Sequence, residues 1–260
     1  MSAAPVPADD SGGEILRVDG LHKAFGPKVV LDGVSFTLER GEHLAVLGRS
    51  GTGKSVLLRL ILGLLEPDEG GVTLWGTATD GFRDPEWAPL RRRCGLVFQS
   101  GALFDSMTVF DNIAFPLRQQ GRKEEEIGDI VQERLEWVEL PDSGPSLPSE
   151  LSGGMRRRVA LARTLAGDPE FLLYDEPTTG LDPLTARRIS DLMRDLGTRV
   201  CSASILVTHD LQSAQLVADR WIYLSNGKIE ADGTPEELRR DGTDAVRSFL
   251  AAYGWVEEDE

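Results

Sequence analysis

Basic charge is scarce in this sequence: 28 Lys and Arg stand against 43 Asp and Glu, a formal charge of −15 over 260 residues. Proteins that bind by neutralising a phosphate backbone carry a basic face, so nucleic acid is not an expected partner. Single nucleotides stay open. Cysteine is scarce as well: Cys94 and Cys201 lie far apart, without CxxC spacing. That excludes a disulfide framework and a zinc site, and predicts two small core hydrophobes in a reducing compartment. Long apolar runs are missing too. The most apolar stretch, Val56 to Leu65, has ten residues and is interrupted by Arg59, half of what a bilayer-spanning helix needs, so the chain is not expected to cross a membrane alone. Residues 1–13 contain Asp9 and Asp10 but neither the basic nor the apolar region of a secretory signal, and predict a disordered tail. Glu257, Glu258, Asp259 and Glu260 predict a solvated acidic tail.

What is present fits a large α/β domain, or two small ones, with 40% hydrophobic residues for a core. Short apolar runs alternate with helix-length periodic segments. Strands are predicted at Ile15 to Val18, Ser35 to Leu38, His43 to Leu47, Val72 to Trp75, Gly95 to Phe98, Phe171 to Tyr174, Ile205 to Val207 and Trp221 to Leu224. The runs at 43, 171 and 205 are apolar at consecutive positions, as in strands buried on both faces of a parallel sheet. From about Gly101 to Gly167 strand signals stop, and Ile127, Ile130, Val131, Leu135 and Val138 recur at helical spacing. A helical lobe inserted into the α/β core accounts for this. Pro141, Gly144, Pro145 and Pro148 then mark a loop before a second helix near Gly154. Thr234, Pro235 and Glu237 form a capping box for a short C-terminal helix. Arg156, Arg157 and Arg158 form a dense basic run, read as a solvated helix face, with a contact to acidic loops of a partner as the alternative.

Gly48, Arg49, Ser50, Gly51, Thr52, Gly53, Lys54 and Ser55 match GxxxxGK[ST], directly after one apolar strand and directly before a helical pattern. The glycines let backbone N–H groups wrap around phosphates, and the helix N-terminus adds its dipole. Lys54 reaches the β and γ phosphates, and Ser55 ligates Mg²⁺. A mere glycine-rich turn is the competing reading. Such a site needs a carboxylate for the metal and a group to orient water. Phe171 to Tyr174 lead straight into Asp175 and Glu176, which places both acids at the carboxyl edge of the sheet. Asp175 would assist the metal and Glu176 would polarise water for in-line attack on the γ-phosphate.

Leu151, Ser152, Gly153, Gly154 and Met155 then make the sequence resemble an ATP-binding cassette (ABC) ATPase. The family's order of P-loop, Gln99, LSGGM, Asp175-Glu176, Gly180-Leu181-Asp182 and His209 runs over essentially residues 14–233. The resemblance implies a P-loop α/β fold with a RecA-like core, an antiparallel β subdomain and an inserted α-helical lobe at about 101–167. It implies a tail at 1–13, an ATPase domain at 14–240, and a helical extension with the acidic tail at 241–260. It implies ATP and Mg²⁺ as cofactors. Phe25 would stack on adenine, where the family more often has tyrosine; a core aromatic is the alternative. Gln99 would sense Mg²⁺ and the attacking water, and His209, which alone of three histidines follows a strand end, would contact the γ-phosphate. His22 and His43 are read as structural. Ser152, Gly153, Gly154 and Asp182 would serve ATP held by an opposite subunit, which implies a head-to-tail homodimer.

Residues 100–117 begin Ser-Gly-Ala-Leu-Phe-Asp-Ser and are similar to ATPases of the Mla/Mce lipid-transport systems. This resemblance implies a peripheral subunit on the cytoplasmic face of the inner (plasma) membrane, docked on a polytopic permease near residues 100–117. It would drive phospholipid movement indirectly to or from an Mce-type lipid-binding protein. Leu103, Phe104, Phe110 and Phe115 are either lobe core or permease contact. Phe249 and Trp255 are expected to supply an apolar dimer handle. A small-solute or lipoprotein transporter is the alternative within transport. A soluble ABC protein of DNA repair or translation lacks its coiled coil or second P-loop here, and a P-loop kinase is disfavoured by Ser152-Gly153-Gly154.

Overall fold

The computed structural model describes residues 13–200, 203–252 and 255. Two long strands, β1 (Glu14–Phe25) and β2 (Lys28–Glu39), are followed by β3 (His43–Leu47), α1 (Lys54–Ile61), β4 (Glu69–Leu74), β5 (Thr77–Ala78), α2 (Asp84–Arg93) and β6 (Cys94–Val97). Three helices come next, α3 (Val109–Gln119), α4 (Glu124–Trp137) and α5 (Gly153–Ala166). The remainder alternates: β7 (Phe171–Asp175), α6 (Pro183–Val200), β8 (Ala203–Thr208), α7 (Leu211–Val217), β9 (Arg220–Ser225), β10 (Lys228–Gly233), α8 (Pro235–Asp241) and α9 (Asp244–Ala251). The residues expected to form the two tails, and Cys201, lie outside the described residues except Gly13 and those from Asp241 to Ala252 and Trp255.

The strands form an antiparallel sheet of order β2-β1-β4-β5 and a sheet of order β10-β9-β3-β8-β7-β6, parallel from β9 to β6 and antiparallel at β10. β3, β7 and β8 are buried almost throughout, as their unbroken apolar runs predict. On β7 the period of two divides the side chains: Phe171 and Leu173 join the core shared with the antiparallel sheet and α1, while Leu172 and Tyr174 join a second core with α3, α4, α5 and α6. The helical lobe therefore shares one core with the far face of the parallel sheet. Ile127, Val131, Leu135 and Val138 supply its buried stripe. Arg93 ties the two sheets together, making a bidentate ion pair with Glu170 at 2.6 and 2.8 Å while its guanidinium stacks on Trp75 at 3.9 Å.

Several expectations change. β1 and β2 run far beyond the predicted segments because Gly20 and Gly33, both at positive φ, bend the pair through register shifts without ending it. β10 was absent from the expected strands: it is a polar edge strand, joined to β9 by Asn226 (φ 48°) and Gly227 (φ 77°), a two-residue turn of the type that favours Asn-Gly. α3 was not among the expected helices, and Pro116 lies within it. Its start is fixed by Thr108, whose hydroxyl accepts from Asp111 N at 3.1 Å. The arginine run is not a solvated face. Arg156 donates to Leu151 O, Arg157 to Pro177 O and Arg158 to Val138 O, so these side chains brace the loops around α5. Phe249 and Trp255 are not a free handle either. Phe249 is buried against Tyr223, and Trp255 packs on Trp221 with ring centroids 5.2 Å apart, so α9 closes the chain's own core over β9.

Cys94 is partly buried and packs against the core shared by the antiparallel sheet and α1, its thiol pushed up to about 12 by burial. His43, in contact with Ser204 Oγ at 2.8 Å and held below the usual imidazole range by burial, fits its structural reading. Gly63, just beyond α1, has φ +61°, and a Cβ there would lie 2.1 Å from Trp87 Cε2. Gly63→Ala should cost about 3 kcal/mol from backbone strain and overpacking together. The check is a urea-unfolding midpoint, and an unshifted midpoint would contradict the predicted clash.

Candidate functional site

Adjacent strands β3, β8, β7 and β6 point their carboxyl ends to one edge, where ligands bind in open α/β sheets. The GxxxxGK[ST] loop leaves β3, His209 follows β8, Asp175 and Glu176 end β7, and Gln99 lies just past β6. These segments line a cleft of about 370 Å³ that contains Ser50, Lys54, Ser55, Gln99, Glu176 and His209, with Phe25 at its mouth.

The loop takes its shape from glycine. A Cβ at Gly48 would sit 2.4 Å from Leu224 O, and Gly53, the residue capping α1, has φ +103°. No side chain caps α1, so the amides of its first turn face the cleft as an anion cradle. Lys54 is buried; its Nζ donates to Gly48 O at 2.8 Å and Arg49 O at 3.1 Å, and lies 3.2 Å from Glu176 Oε1. An ammonium has three donors, and these three contacts use them all.

Ser55 Oγ donates to Asp175 Oδ1 at 2.7 Å. A hydroxyl and a carboxylate are hard oxygen donors of the kind Mg²⁺ takes, and among the described residues there is no cluster of three or more metal-binding acids, thiols or imidazoles. The pair fits a metal that completes its coordination with phosphate oxygens and water. Glu176 is held on all sides. Its N–H donates to Val207 O at 2.9 Å, its Oε2 accepts from Thr179 Oγ1 at 2.8 Å, and the same oxygen lies 2.7 Å from His209 Nδ1. It also has φ +49°, an uncommon conformation for a non-glycine residue, which aims the carboxylate into the cleft. Thr179, which lines the cleft, was not among the expected site residues; its only sequence signal is a place three residues past Glu176.

The remaining predicted residues lie elsewhere. Ser152 caps α5, its hydroxyl accepting from Met155 N at 3.2 Å, and a Cβ at Gly154 would meet Thr185 Cγ2 at 2.4 Å. Asp182 caps the start of α6 through Thr185 N at 3.1 Å, and hydrogen bonds from Thr185 hold its carboxyl below the usual range. Gly153 and Gly154 thus lie against Leu181 and Thr185 around the start of α6, and none of Ser152, Gly153, Gly154 and Asp182 lines the cleft that holds Lys54.

A second cavity, about 800 Å³, lies between α2, α3 and α5 and includes Arg91, Arg92, Phe98, Phe104, Phe115 and Arg163. Phe104 stacks on Phe115 at 4.9 Å, while Leu103 and Phe110 pack into the lobe. Asn112, fully buried, pins the loop before α3: its Oδ1 accepts from Phe104 N at 2.8 Å and its Nδ2 donates to the carbonyls of Phe104, Met107 and Thr108. No Asp or Glu lines this groove in a chain with 43 of them. The Arg91–Arg93 run that contributes its basic rim carried no weight in the sequence reading.

A phosphate cradle with a buried lysine, a hydroxyl–carboxylate pair and a second fixed carboxylate in one cleft define a P-loop nucleoside triphosphatase. Residues 31–179 match the family described as ABC transporter, and the chain belongs to that family. It is 40% identical over 239 residues to the "Probable ribonucleotide transport ATP-binding protein mkl" of Mycobacterium tuberculosis, covering 92% of this chain and 67% of that one. It is 41% identical over 253 residues to "Protein TRIGALACTOSYLDIACYLGLYCEROL 3, chloroplastic" of Arabidopsis thaliana, covering 90% and 73%. Among solved structures, a dimeric ATP-binding cassette in a post-hydrolysis state with ADP and Pi is 32% identical, with a TM-score of 0.77 over 85% of this chain and 98% of that one. The protein is accordingly an ATPase that binds ATP with Mg²⁺, the ATP-binding subunit of an ABC transporter. Among the described residues no helix is long and apolar enough to cross a membrane.

Proposed function

We propose that this chain powers phospholipid transport of the Mla/Mce type through a separate permease, from the cytoplasmic face of the inner membrane, with an Mce-type lipid-binding protein engaged indirectly. The observation that carries the reading is the segment 100–117: its Ser-Gly-Ala-Leu-Phe-Asp-Ser opening forms part of an apolar groove with a basic rim and no carboxylate. Such a groove suits an amphipathic helix bearing acidic residues. The galactolipid in the name of the Arabidopsis relative agrees with a lipid cargo. The name of the mycobacterial relative favours a second reading, a small-solute transporter.

In the cleft, Lys54 and the amides of residues 48–55 would hold the phosphates, Phe25 would stack on adenine, and Ser55, Asp175 and Gln99 would hold Mg²⁺ with the phosphates. The metal would supply charge neutralisation to the phosphates during transfer. Glu176 would take the proton of the attacking water as its oxygen bonds the γ-phosphorus and ADP leaves, with His209 fixing the carboxylate and touching the γ-phosphate. Ser152, Gly153, Gly154 and Asp182 lie apart from this cleft, which supports a homodimer in which each copy completes its partner's site. On this reading residues 14–240 are the ATPase unit and 241–260 an extension.

Purifying the chain together with the membrane protein it binds, and identifying the lipid retained, tests the cargo. A polytopic permease with glycerophospholipid is expected; a permease without lipid would favour the small-solute reading. Phe104→Asp with Arg92→Glu should lower the co-purified permease by roughly tenfold or more, since an anchor and its charge complement are lost together. An undiminished yield would remove the groove from the interface.

A further inference from the structure

Behind the cleft, three hydroxyls are buried between α6, α7 and the loop after β7: Thr178, Ser190 and Ser213 are 5%, 0% and 2% exposed. Ser213 is their hub. Its Oγ donates to Asp210 Oδ2 at 2.6 Å, lies 2.9 Å from Ser190 Oγ and lies 3.3 Å from Thr178 Oγ1. A hydroxyl donates once and accepts twice. With its proton on the carboxylate, Ser213 can accept from Thr178 and from Ser190, whose single proton is shared between Ser213 Oγ at 2.9 Å and Ala186 O at 3.1 Å.

Each partner belongs to a segment that ends at the site. Asp210 caps α7, accepting from Gln212 N at 3.0 Å, and directly follows His209. Thr178 lies between Glu176 and Thr179, which bond each other at 2.8 Å. Ser190 stands on α6, the helix that Asp182 opens. Alanine and valine at these positions would pack α6 on α7 with fewer desolvated polar groups. What the hydroxyls add is one fixed geometry, because a buried polar network is satisfied in few arrangements.

We propose that Ser213 is a positioning residue for ATP hydrolysis: through Asp210, Thr178 and Ser190 it locks His209 and the segment from Glu176 to Asp182 into one unit. The inference rests on the placement of Glu176 and His209 at the γ-phosphate. A shift at the nucleotide is then transmitted to Asp182, at the surface where a partner copy would bind, without passing through the P-loop.

The test uses Ser213→Ala and the near-isosteric Thr178→Val in the full chain, with Thr178→Ser as the variant that keeps the hydroxyl. Ser213→Ala and Thr178→Val should each lower kcat roughly tenfold, the scale of one lost hydrogen bond at the transition state, with KM for ATP held within about twofold. Thr178→Ser should retain kcat, and the double variant should be no worse than the poorer single one, since both act through one unit. If the substitutions lower the unfolding midpoint but leave kcat unmoved well below it, the hydroxyls serve packing alone and the inference falls. Glu176→Gln, assayed alongside, separates the two levels: normal turnover there overturns the site reading and this inference with it, whereas an inactive Glu176→Gln beside a fully active Ser213→Ala overturns this inference alone.

Discussion

Glu176→Gln should bind ATP and hydrolyse it about 10²- to 10⁴-fold more slowly, the range a positioned general base contributes. The substitution changes little besides charge and basicity. The amide oxygen can still accept from Thr179, which now bonds Glu176 Oε2 at 2.8 Å, and the side chain keeps its volume in a pocket where Glu176 is only 9% exposed. What it loses is the ability to accept a proton from water, and the negative charge facing Lys54 at 3.2 Å. Removing that charge leaves Lys54 a less contested partner for phosphate, so nucleotide affinity should hold or rise while turnover collapses. With hydrolysis stalled, the proposed homodimer, in which Ser152 of one copy would meet the nucleotide on Lys54 of the other, should persist, and size-exclusion chromatography in ATP and Mg²⁺ should show a dimer that ADP does not support. Turnover within about tenfold of the unsubstituted protein would take the base role from Glu176.

The site was legible in the sequence wherever chemistry and backbone shape coincide at short range. Gly48 to Ser55 are specified by a close approach at Gly48 and a left-handed backbone at Gly53, which few other residues satisfy, so the motif carries its own geometry. Asp175 and Glu176 were legible because an unbroken apolar strand must end where the acids begin. Residues whose role depends on distant partners were not. Thr179, Ser190 and Ser213 belong to common residue types that acquire meaning only through burial and a contact at 2.6 to 2.9 Å. Charge misled for a related reason. Arg156, Arg157 and Arg158 read as solvated because they are charged, but long apolar stems let their guanidinium groups reach backbone carbonyls on neighbouring loops. Phe249 and Trp255 misled as a surface handle, because the expectation of an exposed tail took no account of the open face of β9 that they cover.

Lys54→Ala should weaken ATP binding by roughly 10- to 100-fold, since each hydrogen bond to a charged group is worth about 1.5–3 kcal/mol. The surrounding charge makes the loss hard to replace. Across the chain acids exceed bases by 15, and within the cleft Lys54 faces Glu176 at 3.2 Å, so a polyphosphate depends on this buried ammonium, on Lys28 at the cleft wall and on the amides of the loop. Those amides remain in the variant, which is why some affinity should survive. Lys54→Ala also leaves Gly48 O and Arg49 O without their donor and Glu176 without its counter-ion, so part of the effect will show as a looser loop. Lys54→Arg separates the causes: it restores charge but not the compact ammonium that satisfies both carbonyls, and should recover only part of the affinity. The measurement is a titration with a fluorescent ATP analogue at fixed Mg²⁺. If Lys54→Ala binds within about twofold of the unsubstituted protein, the phosphates are held by the backbone cradle alone and Lys54 has no part in binding them.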